Sequence, residues 1–352
     1  MKAVLIAGGF GTRLRPLTYN RPKPIVPVVN RPFVLHQIEL LKKYGIYEII
    51  LNVHYLPKSM ELVLGDGKEW GVKLYYSIEK EPLGTAGAVK NAEKYFDEEP
   101  LVVFNGDILT NIDIKDLIEF HKKSKSVATI ALTEVDDPTH YGLVITDKDG
   151  KVKKFLEKPS WQEVTTNKIN AGVYILEPRI FSYVPKNAFF SFERDLFPLL
   201  LEKNENMYAK VSSSYWLDIG SPKKYLQAHK DILNQEIKVN IEGENKGDQI
   251  WIHPSAQINE SAKLKGPLVI GKNAKVEKAS IKNFSVIGEK VSIDDGVIIE
   301  DTVILRNSKI GKDVKLKNCI IGENCIIEDF VGMLYGIVLA DYSIVKKGSR
   351  LI

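Results

Sequence analysis

The C-terminal part of the chain repeats a pattern of six residues. Between residues 256 and 331, small or medium-sized residues recur at steps of six, with three steps of five, and Ile, Leu, Val or Met stands two places after each. The recurring positions are Ala256, Ala262, Leu268, Ala274, Ala279, Ser285, Val291, Val297, Val303, Ser308, Val314, Cys319, Cys325 and Val331. A period of six is the sequence form of a left-handed parallel β-helix, in which three hexads make one triangular coil and the small residue points into the stack. The repeat therefore predicts a β-helix of about five coils at residues 250–352.

The two cysteines, Cys319 and Cys325, stand at successive inward positions of this repeat. Successive inward positions belong to different faces of a triangular coil, so no disulfide is expected between them. Two cysteines also cannot form a disulfide framework or a zinc site by themselves. A β-sandwich would need strict alternation and hairpin turn signals rather than a period of six. The pattern therefore favours a β-helix in which both thiols have a packing role.

The first two-thirds of the chain alternates strand and helix patterns. Apolar runs predict strands at residues 2–7, 48–53, 73–78 and 101–104. Helical periodicity predicts helices at residues 34–44, 85–95 and 222–235. Such alternation predicts an α/β fold with a doubly wound, mixed but mainly parallel, Rossmann-like sheet and helices on both faces. We therefore expect a first domain at residues 1–235, a polar linker at 236–249 and the β-helix at 250–352.

The loop after the first predicted strand has the composition of a polyphosphate cradle. Its glycines, Gly8, Gly9 and Gly11, allow the backbone to approach a ligand and to turn its N–H groups toward anions. Arg13 and Lys23, which lies between prolines, supply two cations that can neutralise a triphosphate. The chain contains no G-x-x-x-x-G-K-[ST], so this is not a P-loop. On this stretch alone, the alternative is a Gly/Pro-rich surface loop.

A second loop is expected at the same edge of the sheet. Ligands of doubly wound sheets bind beyond the carboxyl ends of the strands. The glycine loop follows the first predicted strand, and Asn105, Gly106 and Asp107 follow the fourth. The sequence therefore predicts that the two loops converge on one rim.

Several further strings occur in a fixed order along the chain. They are G-G-F-G-T-R-L-R-P-L-T with P-K-P, E-P-L-G-T-A-G, F-N-G-D, F-L-E-K-P, N-K-I-N-A-G-V-Y-I-L and W-L-D-I-G. This ordered set resembles the signature of the sugar-1-phosphate nucleotidylyltransferases, also called NDP-sugar pyrophosphorylases. The resemblance implies an enzyme in which a sugar 1-phosphate oxygen attacks the α-phosphorus of a nucleoside triphosphate in line and pyrophosphate departs.

The resemblance also implies roles for the residues that match its motifs. Arg13 and Lys23 would neutralise the triphosphate, and Lys158 would bind the sugar phosphate. Nucleotide contacts are implied for Ala7, Gly8, Gly9, Gly11, Thr12, Gly84 and Thr85. Sugar contacts are implied for Gly106, Gly142, Glu157 and Asn170. Metal binding, with Mg²⁺ as the cofactor, is implied for Asp107 and Asp218. Taken singly, Asp107 would be a turn residue, and Glu157 with Lys158 a solvated charge pair.

The resemblance indicates the reaction more specifically than it indicates the base and the sugar. Pyrimidine-specific members usually read the base through a glutamine near the L-G-T string, whereas Glu81 and Pro82 stand there in this chain. That departure favours a purine, and the N-K-I-N-A-G-V-Y-I-L string points to GTP with mannose 1-phosphate. Glucose 1-phosphate or a heptose phosphate stays open, as does a silent regulatory subunit. An acyltransferase β-helix is disfavoured because no histidine, the usual base, follows His253.

Charge and hydropathy set the expectations for partners and location. Lys and Arg number 49 against 45 Asp and Glu, and a net charge of +4 is too small to suggest nucleic-acid binding. The sequence shows neither a basic, apolar leader nor a membrane-length apolar run, so we expect a cytoplasmic protein without membrane contact. A β-helix leaves coil ends and apolar faces to cover, which predicts a homo-oligomer.

Overall fold

The computed structural model describes residues 1–351, and Ile352, the last residue of the predicted β-helix, lies outside the described residues. The chain divides into two compact units. The first consists of Met1–Phe10 and Gln37–Leu217, and the second of Gly11–His36 and Asp218–Ile352. The predicted domain limits at residues 235 and 250 stay a prediction. Among residues 1–351, no helix has both the length and the apolar character needed to cross a membrane.

The elements before the repeat follow one another as strands, helices and short turns. The strands are β1 (Ala3–Ile6), β2 (Pro27–Val28), β3 (Arg31–Pro32), β4 (Glu48–Val53), β5 (Lys73–Ile78), β6 (Leu101–Asn105), β7 (Ile108–Thr110), β8 (Ala128–Glu134), β9 (Gly142–Thr146), β10 (Val152–Glu157), β11 (Lys168–Leu176), β12 (Met207–Val211) and β13 (Trp216–Asp218). The α-helices are α1 (Phe33–Lys43), α2 (Pro57–Leu64), α3 (Gly84–Asn91), α4 (Ile114–Lys123), α5 (Phe197–Glu202) and α6 (Pro222–Leu233). Short 3₁₀ turns lie at Thr12–Leu14, Lys23–Ile25, Lys68–Trp70, Glu93–Tyr95, Pro138–His140 and Pro178–Tyr183. A π-helical turn occupies Phe192–Leu196.

Nine strands of the first unit form one sheet. The main order is β10-β9-β11-β6-β1-β4-β5, and β8 pairs with both β11 and β12. Because β1 runs parallel to β4 and β6, and β4 runs parallel to β5, the predicted mixed sheet with parallel strands is confirmed. Beyond β6 the sheet reverses, since β11 is antiparallel to β6, β8 and β9. The sequence analysis predicted a mixed sheet but not the strand at which the direction reverses.

Helix α3 is shorter than the sequence pattern predicts. The predicted helix at residues 85–95 was wrong at its C-terminal end, because α3 ends at Asn91. There the N–H of Ala92 bonds to the carbonyl of Val89, three residues back, and the chain continues as the turn Glu93–Tyr95. A 3₁₀-type bond of this kind tightens the last turn of a helix. The apolar period continues through this point, so periodicity could not detect the change.

The sheet of the first unit packs around aromatic side chains. Val4, Ile50 and Val103 on the parallel strands are fully buried and belong to one apolar core. The rings of Phe192 and Phe197 stack within that core, with centroids 5.3 Å apart. Strands buried on both faces are rich in consecutive apolar residues, which explains why their positions were predicted well from apolar runs.

The repeat folds as a β-helix with three faces. Its strands are β14 (Glu244–Asn245), β15 (Ile250–Ile252), β16 (Gln257–Ile258), β17 (Lys263–Lys265), β18 (Leu268–Ile270), β19 (Lys275–Val276), β20 (Ser280–Lys282), β21 (Ser285–Ile287), β22 (Ser292–Ile293), β23 (Ile298–Glu300), β24 (Val303–Ile304), β25 (Lys309–Ile310), β26 (Lys315–Lys317), β27 (Ile320–Ile321), β28 (Ile326–Ile327), β29 (Gly332–Leu334), β30 (Val338–Leu339), β31 (Ile344–Val345) and β32 (Arg350–Leu351). Beginning at β15, every third strand shares a face, and β14 adds antiparallel to β15.

Each face stacks six parallel strands, so the predicted number of about five coils was wrong by one. The last coil was missed because its spacing changes. Two residues separate β26 from β27, whereas Tyr335, Gly336 and Ile337 separate β29 from β30. One extra residue at this corner ends the regular period, but β30 still pairs in parallel with β27.

The inward positions of the repeat form the core of the β-helix. From the second coil through Val331 they are all buried, as predicted. In the first coil, at one end of the stack, Ala256 and Ala262 are half-buried. Cys319 and Cys325 are buried free thiols that precede strands on different faces. The expectation that they form no disulfide is therefore confirmed.

The second unit also contains the segment Gly11–His36, which includes the hairpin β2-β3. The Tyr225 hydroxyl on α6 donates a hydrogen bond to the carbonyl of Pro27, with 2.5 Å between the oxygens. The N–H of Val29 donates to Nδ1 of His229, 3.3 Å away. Burial lowers the pKa of His229 to about 3, so this imidazole is neutral and can accept that bond. Helix α6 therefore holds the hairpin through buried polar contacts.

Candidate active site

Two predicted loops meet at the carboxyl ends of β1 and β6. The N–H of Gly106 donates to the carbonyl of Ile6 over 2.9 Å, and the N–H of Ala7 donates to the carbonyl of Asn52 over the same distance. A β-carbon on Gly106 would lie 2.5 Å from the oxygen of Ile6, so only glycine allows this approach. Asp107 follows at once and is half-buried. Ala7, where the glycine loop begins, and the Asn105–Asp107 loop thus share one rim of the first unit.

A buried carboxylate lies against the glycine loop. Glu79 is 6% exposed, and its Oε2 accepts a hydrogen bond of 3.1 Å from the N–H of Leu83. Its Oε1 is buried without a hydrogen-bond partner, 3.0 Å from the point where a β-carbon on Gly8 would stand. Burial raises the pKa of Glu79, while the bond from Leu83 and the proximity of His54 oppose that shift. An acceptor is therefore left for a ligand beside the first glycine of the loop.

The sequence analysis missed Glu79. It placed the departure from the pyrimidine-specific pattern at Glu81 and Pro82, but both are exposed. The signal that could have identified Glu79 is its position directly after β5, at the carboxyl end of a parallel strand.

The start of α3 is fixed by contacts within the first unit. Gly84 has a φ of 72°, and a β-carbon there would lie 2.7 Å from the carbonyl oxygen of Phe190. The hydroxyl of Thr85 donates to Oε2 of Glu193 over 3.1 Å and accepts from the N–H of Phe192 over 2.8 Å. The predicted nucleotide contact Thr85 is thus also a link between α3 and the π-helical turn.

Glu193 connects the predicted nucleotide and sugar residues and was not predicted. It lies in the π-helical turn, and its Oε1 accepts a hydrogen bond of 3.3 Å from the hydroxyl of Tyr174. That hydroxyl accepts a bond of 2.7 Å from Nδ2 of Asn170, at a bulge in β11. Such π-helical turns occur frequently at functional sites, but they have no sequence signature that could have identified Glu193.

A second carboxylate lies at the end of β10. Glu157 is half-buried, and its Oε2 is 3.1 Å from the point where a β-carbon on Gly142 would stand. Burial, and then the charge of Glu193, raises the pKa of Glu157, while Lys158 and Arg194 oppose that shift. Lys158 is exposed and has a φ of 51°, which is uncommon for a residue other than glycine. Strain of this kind occurs at ligand sites, where the backbone directs a side chain.

The predicted triphosphate residues lie in the second unit. Gly11 has a φ of 62° and precedes the turn Thr12–Leu14, which carries Arg13. A β-carbon on Gly11 would lie 3.1 Å from Cγ2 of Thr18 and 3.2 Å from Cβ of Lys23. The hydroxyl of Thr18 also donates to the carbonyl of Gly11 over 2.8 Å. Gly11 therefore brings the two ends of the cationic loop together.

Arg13 and Asp218 meet at Gly220. A β-carbon on Gly220 would lie 2.7 Å from Oδ2 of Asp218 and 3.3 Å from a terminal nitrogen of Arg13. The Asp218 side chain is 9% exposed, and its Oδ1 forms an ion pair with Lys224 of α6. Lys224 was not predicted, although it follows the W-L-D-I-G string by one helical turn. The second unit thus assembles two cations around one buried carboxylate.

The Asp218 carboxylate is compatible with a metal ion that is shared with a phosphate ligand. Within residues 1–351, no three His, Cys, Asp or Glu side chains cluster as a protein-only metal site. Mg²⁺ usually takes one or two carboxylates and completes its octahedron with substrate phosphates and water. Asp218 offers such a carboxylate, next to the cations Arg13 and Lys224. Nucleotidyl transferases generally use a divalent metal ion, and this donor set is compatible with one.

Known proteins match both parts of the chain. The family model described as nucleotidyl transferase matches residues 2–235, and the model described as the EIF2B subunit epsilon LbH domain matches residues 247–351. A protein named mannose-1-phosphate guanyltransferase from Debaryomyces hansenii is 40% identical over 269 residues, covering 74% of this chain and 73% of that protein. One named mannose-1-phosphate guanylyltransferase from Mycobacterium tuberculosis is 34% identical over 297 residues, covering 84% and 82%.

Solved structures also match. The crystal structure of HddC from Yersinia pseudotuberculosis superposes with a TM-score of 0.57 at 36% identity, covering 64% of this chain and 97% of HddC. HddC complexed with GMP-PN matches with a TM-score of 0.56 at the same identity.

Proposed function

This chain belongs to the nucleotidyl transferase family, and we propose that it transfers the guanylyl group of GTP to mannose 1-phosphate. Family members of this kind join a nucleoside triphosphate to a sugar 1-phosphate, giving an NDP-sugar and pyrophosphate. The names of the relatives support GDP-mannose as the product. The single observation that carries the choice of GTP is the unpartnered oxygen of Glu79.

A carboxylate at this position suits guanine. Each oxygen of Glu79 can accept more than one hydrogen bond, and Oε1 has no partner in the protein. Guanine presents two adjacent donors, N1–H and the 2-amino group, whereas uracil presents one N–H between two carbonyl oxygens that a carboxylate repels. An unpaired buried acceptor costs about 1–3 kcal/mol, so a base with two donors is favoured over one with a single donor.

The proposed reaction is a direct displacement. An oxygen of mannose 1-phosphate attacks the α-phosphorus of GTP, a new P–O bond forms, the bond to the β-phosphate oxygen breaks, and pyrophosphate leaves. No side-chain nucleophile is needed, because the attacking phosphate is ionised at neutral pH. Arg13 and Lys23 neutralise the charge that develops on the leaving pyrophosphate, and Lys158 holds the sugar phosphate.

The remaining residues bind the sugar and the metal. Glu157 accepts hydrogen bonds from sugar hydroxyls, and the Asn170 amide donates to them. Gly142 leaves space beside Glu157. Asp107 and Asp218 are the proposed Mg²⁺ ligands. When bound, Mg²⁺ would neutralise triphosphate charge and orient the leaving group.

A substrate grid tests the reaction. Pyrophosphate release is measured with Mg²⁺ and each of GTP, ATP, UTP and dTTP, paired in turn with mannose 1-phosphate, glucose 1-phosphate and a heptose 1-phosphate. The highest kcat/KM is expected for GTP with mannose 1-phosphate. A higher value for another pair would contradict the substrate assignment, and no release from any pair would favour a regulatory subunit.

Glu79→Gln tests the base assignment, with Glu81→Gln as the matched control because Glu81 is exposed. Replacing one acceptor oxygen with an amide leaves one guanine donor unpaired. We expect kcat/KM for GTP to fall about 10- to 100-fold, as for loss of a bidentate base contact. The ratio of kcat/KM for GTP to kcat/KM for UTP should fall as well. The control should keep both values. If Glu79→Gln and the wild type have the same kcat/KM for GTP and the same preference over UTP, Glu79 does not recognise the base.

The proposal includes a homo-oligomer formed through the β-helix. Ile326 and Ile344 lie in register on neighbouring strands of one face and are 41% and 55% exposed. This pair of exposed isoleucines is the contact that we propose for a second copy of the chain. Light scattering should show more than one chain per particle, and Ile344→Lys should lower the measured mass. A monomeric wild type would contradict the assembly. The proposal also keeps the expected cytoplasmic location.

A further inference from the structure

We propose that the β-helix positions the triphosphate-binding loop and that Arg21 is the positioning residue. This inference rests on the proposed function, because it concerns the loop that carries Arg13 and Lys23. The segment Gly11–His36 belongs to the same compact unit as the β-helix, whereas β1, which precedes it in the chain, belongs to the other unit. The β-helix is thus part of the catalytic apparatus in addition to any role in assembly.

Arg21 forms a bridge between two successive coils. One terminal nitrogen pairs with Oε1 of Glu323, and the other lies 2.5 Å from Oδ2 of Asp341. The three side chains are 9%, 8% and 3% exposed. The N–H of Glu323 donates to Oδ1 of Asp341 over 2.8 Å, and Nε of Arg306 lies 2.9 Å from Oε2 of Glu323. Contacts within the β-helix therefore hold both carboxylates in place independently of Arg21.

A second contact fastens the other end of the segment to the same corner of the β-helix. Nδ2 of Asn30 donates to the carbonyl of Ile287, the last residue of β21, over 2.8 Å. A β-carbon on Gly271, one coil earlier, would lie 2.9 Å from that nitrogen. Asn30 thus contacts the second and third coils, and Arg21 contacts the fifth and sixth. The segment runs along one corner with an anchor on each side of Lys23.

The chemistry of the Arg21 contact suits positioning more than stability. Buried ion pairs add little net stability because desolvation offsets attraction, but in some proteins they select a single arrangement, and we propose that role here. Arginine can hold two carboxylates with its fork of donors, whereas lysine is a point charge on a flexible stem. Cations that are fixed in advance stabilise developing charge without reorganising during the reaction. Fixing the loop at Arg21 therefore maintains Arg13 and Lys23 where a triphosphate binds.

The test compares Arg21→Lys with the matched control Arg179→Lys. Arg179 also makes two bonds to a carboxylate, each 2.9 Å to Glu205, but it is 58% exposed and lies in the first unit. The readouts are steady-state kinetics with both substrates, affinity for inorganic pyrophosphate by calorimetry, the melting temperature, and hydrogen–deuterium exchange of the segment Gly11–His36. Arg21→Lys retains the positive charge, so it removes the bridge without leaving both carboxylates unpaired.

We expect Arg21→Lys to lower kcat/KM for the triphosphate and the affinity for pyrophosphate about 10-fold, as for a displaced catalytic group. The KM for the sugar 1-phosphate should stay at the wild-type value, exchange in Gly11–His36 should accelerate, and exchange in β1 and β4 should not. Arg179→Lys should change none of these values.

Wild-type kinetics and pyrophosphate affinity in Arg21→Lys would overturn the proposal, whether or not exchange accelerates. So would an equal loss for both substrates with a lower melting temperature, since that pattern indicates general destabilisation. The proposed function fails separately, if the wild type releases no pyrophosphate from any substrate pair. The pyrophosphate affinities and the exchange rates would then still decide whether Arg21 positions an anion-binding loop.

Discussion

Oε1 of Glu79 lies 3.0 Å from the point where a β-carbon on Gly8 would stand. The two residues lie at the ends of different parallel strands, and each restricts the other. Gly8 leaves space for a buried carboxylate, and a side chain on Gly8 would require that carboxylate to shift. At Gly9, by contrast, a β-carbon would meet no atom within 4 Å. The two adjacent glycines therefore have different structural requirements.

Gly8→Ala is expected to weaken nucleotide binding. A methyl group would displace the Glu79 carboxylate, so KM for GTP should rise about 10-fold, comparable to the loss of one good polar contact. The measurement is steady-state kinetics, together with the melting temperature. Gly9→Ala is the comparison, because a loss of affinity there would come from contact with the ligand and not from Glu79. A wild-type KM in Gly8→Ala would contradict the assignment of this pocket to the base.

Gly220→Ala is expected to abolish most turnover without unfolding the protein. The added methyl group would lie 2.7 Å from Oδ2 of Asp218 and 3.3 Å from Arg13, so at least one of these groups must move. Displacement of a catalytic group by about 1 Å can cost on the order of 100-fold in rate. We expect a fall in kcat of this size and a higher Mg²⁺ requirement.

The control for Gly220→Ala is Ser221→Ala. Ser221 is the N-cap of α6 and accepts a hydrogen bond from the N–H of Lys224, 3.4 Å away. Its loss should lower stability by about 1 kcal/mol while leaving kcat near the wild-type value. If both variants lose the same activity, the loss reflects α6 and not the contact at Gly220.

Acid should destabilise the protein through His229. Burial lowers the pKa of this imidazole from 6.5 to about 3. Below pH 6.5 the unfolded chain therefore binds a proton that the folded chain does not bind, and the free energy of unfolding falls as pH decreases toward 3. Each pKa unit corresponds to about 1.4 kcal/mol. Urea unfolding across this pH range measures the slope.

His229→Asn separates this effect from other titrations. An asparagine oxygen can accept the hydrogen bond from Val29 but does not titrate. The variant should lose stability less steeply than the wild type between pH 6.5 and 3. Identical slopes would show that His229 does not contribute to acid sensitivity.

Both thiols should be unreactive in the folded protein. Burial raises the pKa of Cys319 to about 11, and burial also raises the pKa of Cys325. The thiolate is the reactive species, so both inaccessibility and protonation oppose modification. Ellman's reagent at neutral pH should detect no thiol in the native state and both in denaturant. Rapid labelling of the native protein would contradict the burial of these positions.

Much of the fold could be predicted because its signals are local. The strands at Glu48–Val53 and Lys73–Ile78 were predicted at their observed limits. The first is a nearly continuous buried run, as is typical of parallel strands, whereas the second is an edge strand that is only partly buried. The antiparallel pairing of β11 could not be predicted, because strand direction depends on which partners a strand finds and not on its own residues. The sixth coil was missed at Tyr335, where one extra residue ends the period.

The sequence predicted which motif residues belong to the candidate site, but not the contacts between them. A β-carbon would collide with a neighbour at Gly106 and Gly142 and would make a tight contact at Gly8. Glycine in a loop is visible in the sequence. Glu193 and Lys224 were not visible, because a single charged residue in a helical turn has no distinguishing pattern.

The sequence by itself determined the two fold classes and the order of the candidate catalytic motifs, since periodicity and motif spacing are properties of neighbouring residues. Only the tertiary structure decided which distant residues meet. Glu79 reaches Gly8 because their strands end at one rim, and Arg21 pairs with Glu323, 302 residues later, because both face one corner of the β-helix. The physical reason is that burial selects these pairs. A buried charge is stable only beside a partner, because burial removes it from water. Which residues are buried together depends on the tertiary fold, so no local sequence pattern indicates the pair.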